Sequence, residues 1–314
     1  MKIPVFEDIV AAHQLIKDFI HFTPVLTSSS INLITGAEIY FKCENLQKTG
    51  AFKFRGACNA VFSLTSKKAA RGVGTHSSGN HGAALALAAR LKGIHAQIVM
   101  PSNCAEIKKK AVVGYGGIIT YCEPTLEARE STLRIIAENT GIEIIHPYNN
   151  FKVIAGQGTS AMELMQQIPL LELVVCPVGG GGLLSGTALS VKALSPFTRV
   201  IAAEPLGADD AYRSFKAGYL IASDHPKTMA DGLRTSLGEI NFEIIRKNVD
   251  DIVTVSEQSI VQAMSLVWER MKLIIEPSSA VALAAILENK ELFINRRIGI
   301  ILSGGNVDLR NLPF

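Results

Sequence analysis

The sequence carries little net charge of either sign. Its 31 Lys and Arg against 28 Asp and Glu leave +3 over 314 residues. That is too small a surplus to argue for nucleic acid or a membrane surface as partner. The one dense basic run, Lys108-Lys109-Lys110, lies in a helix-like segment and reads as a solvated face. No apolar run is long enough to cross a bilayer. The five cysteines, at 43, 58, 104, 122 and 176, form no C-x-x-C, and their number is odd. Met1-Lys2-Ile3-Pro4 opens no signal-peptide pattern, so reduced thiols in a cytoplasmic protein are expected, each packed in apolar surroundings. H-E-x-x-H is absent and the seven histidines are scattered, which argues against zinc. No Gly-Lys-Ser/Thr closes a Walker A loop, and no G-x-G-x-x-G falls at a strand-to-helix turn. Internal repeats, low-complexity tracts and long linkers are missing as well.

What is present is a large core. Hydrophobic residues make up 48 % and charged residues 19 %, the balance of a globular enzyme. From about residue 72, short apolar runs alternate with helical patterns. Strands are predicted over 72–76, 96–100, 118–122, 143–146, 173–178, 200–203, 252–255 and 298–302. Helices are predicted over 80–91, 105–113 and 126–138, with a further one starting at Ser256, running through Trp268 and stopping before Pro277. This alternation predicts an α/β protein with parallel sheets covered on both faces. Two open sheets fit better than one very wide sheet. We therefore expect a small inserted α/β domain over 65–149 and a large domain built from 1–64 and 150–314. Ligand sites in such sheets lie at the carboxyl ends of the strands.

Gly179-Gly180-Gly181-Gly182 follows the apolar run ending at Val178 and precedes a helical pattern from Leu183. Without Cβ atoms, such a loop can turn its amides around an anion, and the helix start adds a positive dipole end. A tight turn with no ligand also reads from these residues. Lys53, between Phe52 and Phe54, sits near a helix start; partial desolvation there favours the neutral amine and Schiff-base chemistry. Taken alone, Lys53 also reads as a snorkelling surface lysine. Ser77, Ser78, Gly79, Asn80 and His81 form a polar turn before an alanine-rich helix, suited to a substrate α-carboxylate or simply to capping. Glu204 and Asp210 flank a loop with the Ala208 carbonyl between them. Such oxygen donors suit Mg²⁺ or Ca²⁺, or an acidic capped turn without metal.

Seven motifs occur in order: K-T-G-A-F-K-F-R-G-A from Lys48, H-S-S-G-N-H-G from His76, A-G-Q-G-T from Ala155, P-V-G-G-G-G-L from Pro177, A-D-G from Ala230, E-R-M-K-L-I-I-E-P from Glu269 and S-G-G-N from Ser303. The ordered set resembles the fold-type II pyridoxal-phosphate enzymes, in the group holding threonine dehydratases and serine racemase. The resemblance implies a tryptophan synthase β-like fold with pyridoxal 5'-phosphate as cofactor. It implies that Lys53 binds the cofactor covalently and that Gly179 to Gly182 and Leu183 hold its phosphate. It places Asn80 at the ring's phenolic oxygen and Ser303 at the pyridine nitrogen, and counts Phe52, Gly232 and Glu276 among the cofactor-binding residues. A hydroxyl at the pyridine nitrogen makes a weaker electron sink than a carboxylate, which suits loss of a β-leaving group. Ser77 to His81, Arg129 and Asp231 fall to the substrate, with Ser78 opposite Lys53 across the cofactor. Glu204, Ala208 and Asp210 match a divalent-cation site.

Some residues depart from the pattern. Ala51 stands where serine is common. Tyr148 replaces an asparagine of animal racemases and looks like the aromatic of dehydratases. Lys48, Thr49, Tyr115, Lys272 and Asn306 are compatible with a nucleotide site at a dimer interface, but Ala83 stands where glutamine is expected, which argues against nucleotide activation. With the chain ending at Phe314, feedback inhibition by isoleucine is not expected. The expected activity is dehydration of L-threonine or L-serine to a 2-oxo acid and ammonia, with serine racemase activity beside it, in a cytoplasmic homodimer. The rivals are racemisation as the main activity, and β-replacement of the cysteine synthase type. A cofactor-holding protein without turnover is disfavoured by Lys53, Ser78 and Ser303 occurring together.

Overall fold

The computed structural model describes residues 2–77 and 79–314. Its strands are β1 (Val25–Leu26), β2 (Glu38–Lys42), β3 (Val73–His76), β4 (Ala96–Pro101), β5 (Gly117–Cys122), β6 (Glu143–Ile144), β7 (Leu173–Pro177), β8 (Arg199–Pro205), β9 (Asp251–Val255) and β10 (Arg297–Ile301). In the first half of the chain the helices are α1 (Phe6–Ile16), α2 (Ser29–Thr35), α3 (Lys53–Phe62), α4 (Ser66–Ala69), α5 (Asn80–Lys92), α6 (Glu106–Gly114) and α7 (Leu126–Thr140). Then follow α8 (Phe151–Gln167), α9 (Gly182–Leu194), α10 (Asp210–Ala217), α11 (Glu239–Asn248), α12 (Glu257–Met271), α13 (Pro277–Glu288) and α14 (Lys290–Phe293).

The strands form two sheets, as the alternation predicts. One has six strands in the order β1-β2-β10-β7-β8-β9, and the other four in the order β5-β4-β3-β6. All pairings are parallel except β1 with β2 at one edge. Every residue of β7 is buried, because a central parallel strand is covered by helices on both faces. Small side chains let those helices come close. In α13, residues 278 to 286 are all buried and four of them are alanine. In α5 the buried run 81–89 is also alanine-rich.

The carboxyl ends of β3, β7 and β10 converge. β3 leads into Ser77, β7 into the four glycines and β10 into Ser303. Each exit is pinned by the neighbouring strand: Ser77 N donates to the Val99 carbonyl, Val178 N to that of Ala203 and Leu302 N to that of Lys42, at 3.0–3.1 Å. This places the site between the two sheets.

Some expectations need correction. The strand predicted over 143–146 ends at Ile144. Beyond Ile145, the chain turns so that His146 Nδ1 accepts from the amides of Tyr148 and Asn149, at 3.4 and 2.9 Å. Cys43, Cys58 and Cys176 are buried, but Cys104 and Cys122 are only half-buried, because they lie at the rim of the smaller sheet. The run at Lys108 is not simply a solvated face, since Lys108 ion-pairs with Asp231 of the other half of the molecule.

Three helices cross almost without side chains between them. A Cβ on Gly186 of α9 would lie 2.4 Å from the Gly158 amide of α8, and one on Gly156 would lie 2.7 Å from the Arg55 carbonyl of α3. Backbone cannot yield as a side chain can. Gly186→Ala is therefore expected to destabilise the fold by about 3 kcal/mol. Gly114→Ala, with open space at its Cβ, is expected to shift stability by less than about 1 kcal/mol, upward. Urea unfolding of both variants checks the contrast.

Candidate active site

Lys53 opens α3, and its side chain enters a cavity of about 180 Å³ between the sheets. Phe52, Ser77, Gly79, Asn80, His81, Arg129, Gly179 to Gly182, Leu183, Asp231, Gly232, Glu276 and Ser303 line that cavity with it. Ser78 lies outside the described residues. Glu204, Ala208 and Asp210 are not part of this lining and form a separate cluster.

The Lys53 amine donates to the Pro147 carbonyl at 3.0 Å. Burial lowers it from its ordinary 10.5 to about 8, against the charge of Glu276, which pulls it upward. Glu276 is pushed up to about 7, by burial and then by the Asp231 charge. The amide of Asn80 donates to both its oxygens, at 2.9 and 3.1 Å. Near neutrality the site thus holds an amine and a carboxyl group that both titrate within reach of physiological pH.

The glycine loop is closed in by neighbours. A Cβ on Gly180 would sit 2.4 Å from the Tyr148 ring, and one on Gly179 would sit 2.9 Å from Leu233 Cα. Gly181 has φ +89°, a left-handed conformation that favours glycine. The first bond of α9 runs from Ser185 N to the Gly181 carbonyl. The amides of Gly182, Leu183 and Leu184 precede it, without helical partners, at the positive end of the helix. This cradle fits a phosphate group.

Three histidines beside the cavity stay neutral. Burial lowers His76 to about 4, helped by Arg129. Burial likewise takes His146 to about 4 and His81 well below its ordinary value. His76, His146 and Tyr148 stack edge to face, with centroids 5.7 and 4.6 Å apart, and the Tyr148 hydroxyl meets Thr235 Oγ1 at 2.7 Å. Positive charge near the cavity mouth therefore comes from side chains such as Arg129 and Lys108. Sequence reasoning misses Lys108, held by Asp231, because only tertiary packing decides which face of α6 meets the cleft. The Pro147 carbonyl has no side-chain signature, so no sequence signal could have found it.

In the acidic loop, Glu204 accepts from the amides of Ala211 and Tyr212, at 3.0 and 2.7 Å. Asp210 accepts from the Leu237 amide at 2.8 Å, while its other oxygen is buried without a partner. Burial and then the Asp210 charge raise Glu204 well above the carboxylate range, and burial raises Asp210 to about 6. Two buried carboxylates with one orphaned oxygen fit either a cation or a shared proton. No three His, Cys, Asp or Glu side chains converge as metal ligands among the described residues. A second cavity, of about 560 Å³, is lined by Thr49, Ala83, Tyr115 and Asn306, among others. Among the described residues no helix is long and apolar enough to cross a membrane.

The lowered amine gives a direct test. In the cofactor-free protein, Lys53 should react half-maximally with an amine reagent near pH 8. Glu276→Gln, which removes the charge holding the ammonium on, should move that midpoint lower. Competitive labelling read by peptide mass spectrometry measures both.

Residues 16–304 match the family of pyridoxal-phosphate dependent enzymes, and the chain belongs to it. The chain is 53 % identical to a β-hydroxyaspartate dehydratase of Paracoccus denitrificans over the whole of both proteins. The crystal structure of serine racemase from Dictyostelium discoideum superposes with a TM-score of 0.93 at 52 % identity, covering 97 % of this chain and 99 % of that one. The crystal structure of a threonine deaminase from T.th. superposes equally well, TM-score 0.93, at 42 % identity over 98 % and 99 % of the two chains.

Proposed function

Within that family, we propose that this enzyme eliminates water from small β-hydroxy amino acids, serine, threonine or 3-hydroxyaspartate, and that the resulting enamine takes up water again to release ammonia and leave a 2-oxo acid. The observation that carries the reading is that Lys53, with its lowered amine, and the glycine cradle line one cavity. Relatives named dehydratase, deaminase and serine racemase support it.

Pyridoxal 5'-phosphate, when bound, supplies an electron sink that acidifies the Cα–H of an amino acid. Lys53 would hold it, with the amides of Gly179, Gly180, Gly181, Gly182 and Leu183 around the phosphate. Ser303 and Asn80 would face the ring's polar atoms, and Phe52, Gly232 and Glu276 its edges. The start of α5, with Ser77, Ser78, Gly79 and His81, would orient the substrate carboxylate. Arg129 and Asp231 would face the β-substituent. Lys53, whose amine burial brings down to about 8 so that a neutral fraction is available near neutrality, would take the Cα proton. The buried histidines are neutral, so they do not compete with Arg129 for an anionic substrate group.

Racemisation at Cα is the second reading, favoured by the relatives named serine racemase. It needs a proton donor on the face opposite Lys53, the role assigned to Ser78. We also propose that 65–149, around the four-stranded sheet, is a small inserted domain in a large one of 1–64 and 150–314. The working form proposed is a cytoplasmic homodimer, with Glu204, Asp210 and the Ala208 carbonyl holding Mg²⁺ or Ca²⁺. Nucleotide activation is not part of the proposal, because Ala83 brings no amide to the second cavity.

Ser78→Ala should keep most 2-oxo acid formation from an L-substrate while losing formation of the D-amino acid. An equal fall in both rates at saturating L-serine would reduce Ser78 to a binding or capping residue. Lys53→Ala should abolish both. Free Mg²⁺ at about a hundredfold excess over its Kd should stabilise the fold by about 2.7 kcal/mol. Asp210→Ala should abolish that gain; no Mg²⁺ effect on melting in the parent protein would remove the metal from the account.

A further inference from the structure

Arg55 lies two residues beyond Lys53 on α3. At 3.6 residues per turn the two side chains leave the helix on nearly opposite faces. Lys53 enters the cavity, and Arg55 enters the protein behind it. α3 has no side-chain cap at its N-terminus. Its first turn is tied down through Arg55 instead.

The guanidinium is fully buried and every side of it is bonded. Nε and Nη2 donate to the two oxygens of Glu44, at 2.7 and 2.8 Å. Nη1 and Nη2 donate to the two oxygens of Glu163 on α8, at 2.7 and 2.8 Å. Nη1 also reaches Thr159 Oγ1 at 3.1 Å, and Nη2 the His21 carbonyl at 3.4 Å. Lys42, at the end of β2, completes the cluster. Its amine donates to Glu163, the Thr23 carbonyl and Gln167, at 2.7–2.8 Å. Thr23 donates to Glu44 at 2.6 Å. All four charged side chains are solvent-inaccessible, and their charges balance.

Such a cluster is a poor way to gain stability, since well-packed apolar groups serve as well or better. What it does supply is geometry. Two bidentate forks fix a guanidinium in position and angle at once, as apolar contacts do not. The partners come from the chain before β1, from the turn after β2 and from α8, so the first turn of α3 is held from three directions. The glycine crossing at Gly156 adds a second hold from α8, because the Arg55 carbonyl lies against it.

We infer that Arg55 is a positioning residue for Lys53, with Glu44, Glu163 and Lys42 as its buried frame. The inference rests on the proposed role of Lys53. Displacing the helix start by a fraction of an ångström moves the amine relative to the glycine cradle, and misplacement on that scale lowers catalysis steeply.

The test uses the purified holoenzyme and its apoprotein. Arg55→Lys keeps the charge and loses the fork. It should lower kcat about tenfold or more with KM changed less than about threefold. It should also weaken pyridoxal-phosphate binding by the apoprotein and reduce the visible circular dichroism per bound cofactor. Thr159→Val removes one contact to the guanidinium, together with the hydroxyl's bond to the Gly156 carbonyl at 2.7 Å, and should give smaller changes in the same direction, so the inference stays testable if Arg55→Lys fails to fold. Val267→Ala on α12, a remote core truncation, is the stability control. It should lower the melting temperature without moving kcat, cofactor affinity or the dichroic band. Wild-type kcat, affinity and dichroism in Arg55→Lys, or in Thr159→Val if only that variant folds, would overturn the inference. The same holds if Val267→Ala moves these readouts as much for an equal loss of melting temperature. An active Lys53→Ala would instead overturn the reading of Lys53 itself; an inactive Lys53→Ala beside an unaffected Arg55→Lys would sink only the present inference.

Discussion

The site depends on how closely α3, α8 and α9 can approach one another. Gly56, Gly156, Gly158 and Gly186 lie where these helices cross, and at each a Cβ would meet a neighbouring atom at 2.4–2.9 Å. The Gly56 amide donates to Gln157 at 3.1 Å across the same crossing. Because these positions lack side chains, the start of α3 comes close enough to β10 for Phe52 N to reach the Ser303 carbonyl at 2.9 Å. That bond, together with those from Gly305 N to the Gly50 carbonyl at 2.9 Å and from Asn306 Nδ2 to the Thr49 carbonyl at 2.7 Å, joins the start of the lysine-bearing helix to the strand end that carries Ser303. The lysine and the S-G-G-N turn, some 250 residues apart in the chain, therefore share one wall.

Around this wall the electrostatics divide into two kinds. Behind α3, Lys42, Glu44, Arg55 and Glu163 are buried as a balanced, fully bonded set, and burial would raise Glu44 were it not overcome by Arg55, which holds it low. In front of α3, the half-buried Lys53 and the buried Glu276 lie without such balance, and both move towards neutrality. Burial lowers Lys42 as it lowers Lys53, but the two carboxyl groups move in opposite directions, Glu44 down and Glu276 up, because their pairing differs. A lysine bonded only to a carbonyl loses its proton more readily than one held by carboxylates. In the proposed reading, that lysine, lining one cavity with the glycine cradle, is what makes the cavity an active site rather than a cleft.

The parallel sheets and the glycine loop are legible in the sequence because each leaves a local mark, whereas Lys53 is singled out only by the ordered set of motifs to which it belongs. β7 is an apolar run ended by glycines, and the strands after residue 72 alternate with helical patterns. β1 and β2, of two and five residues, lie before that alternation begins and have no such pattern around them. The Arg55 cluster is hidden for a different reason. Glu163 lies 121 residues from Lys42 and 108 from Arg55, and nothing in a single sequence pairs charges over such distances. Lys108 reads as solvated for want of a tertiary partner, and Asp231, more than a hundred residues on, supplies it. Local chemistry is written locally; which distant group it faces is decided by the fold.

The measurement that bears most directly on this account is chemical trapping of the cofactor. Holoenzyme would be reduced with borohydride, digested and mapped by mass spectrometry. The account predicts one modified lysine, Lys53, at close to one cofactor per chain. Label on another lysine, such as Lys108 at the cavity mouth, or no covalent label on a catalytically active protein, would contradict it.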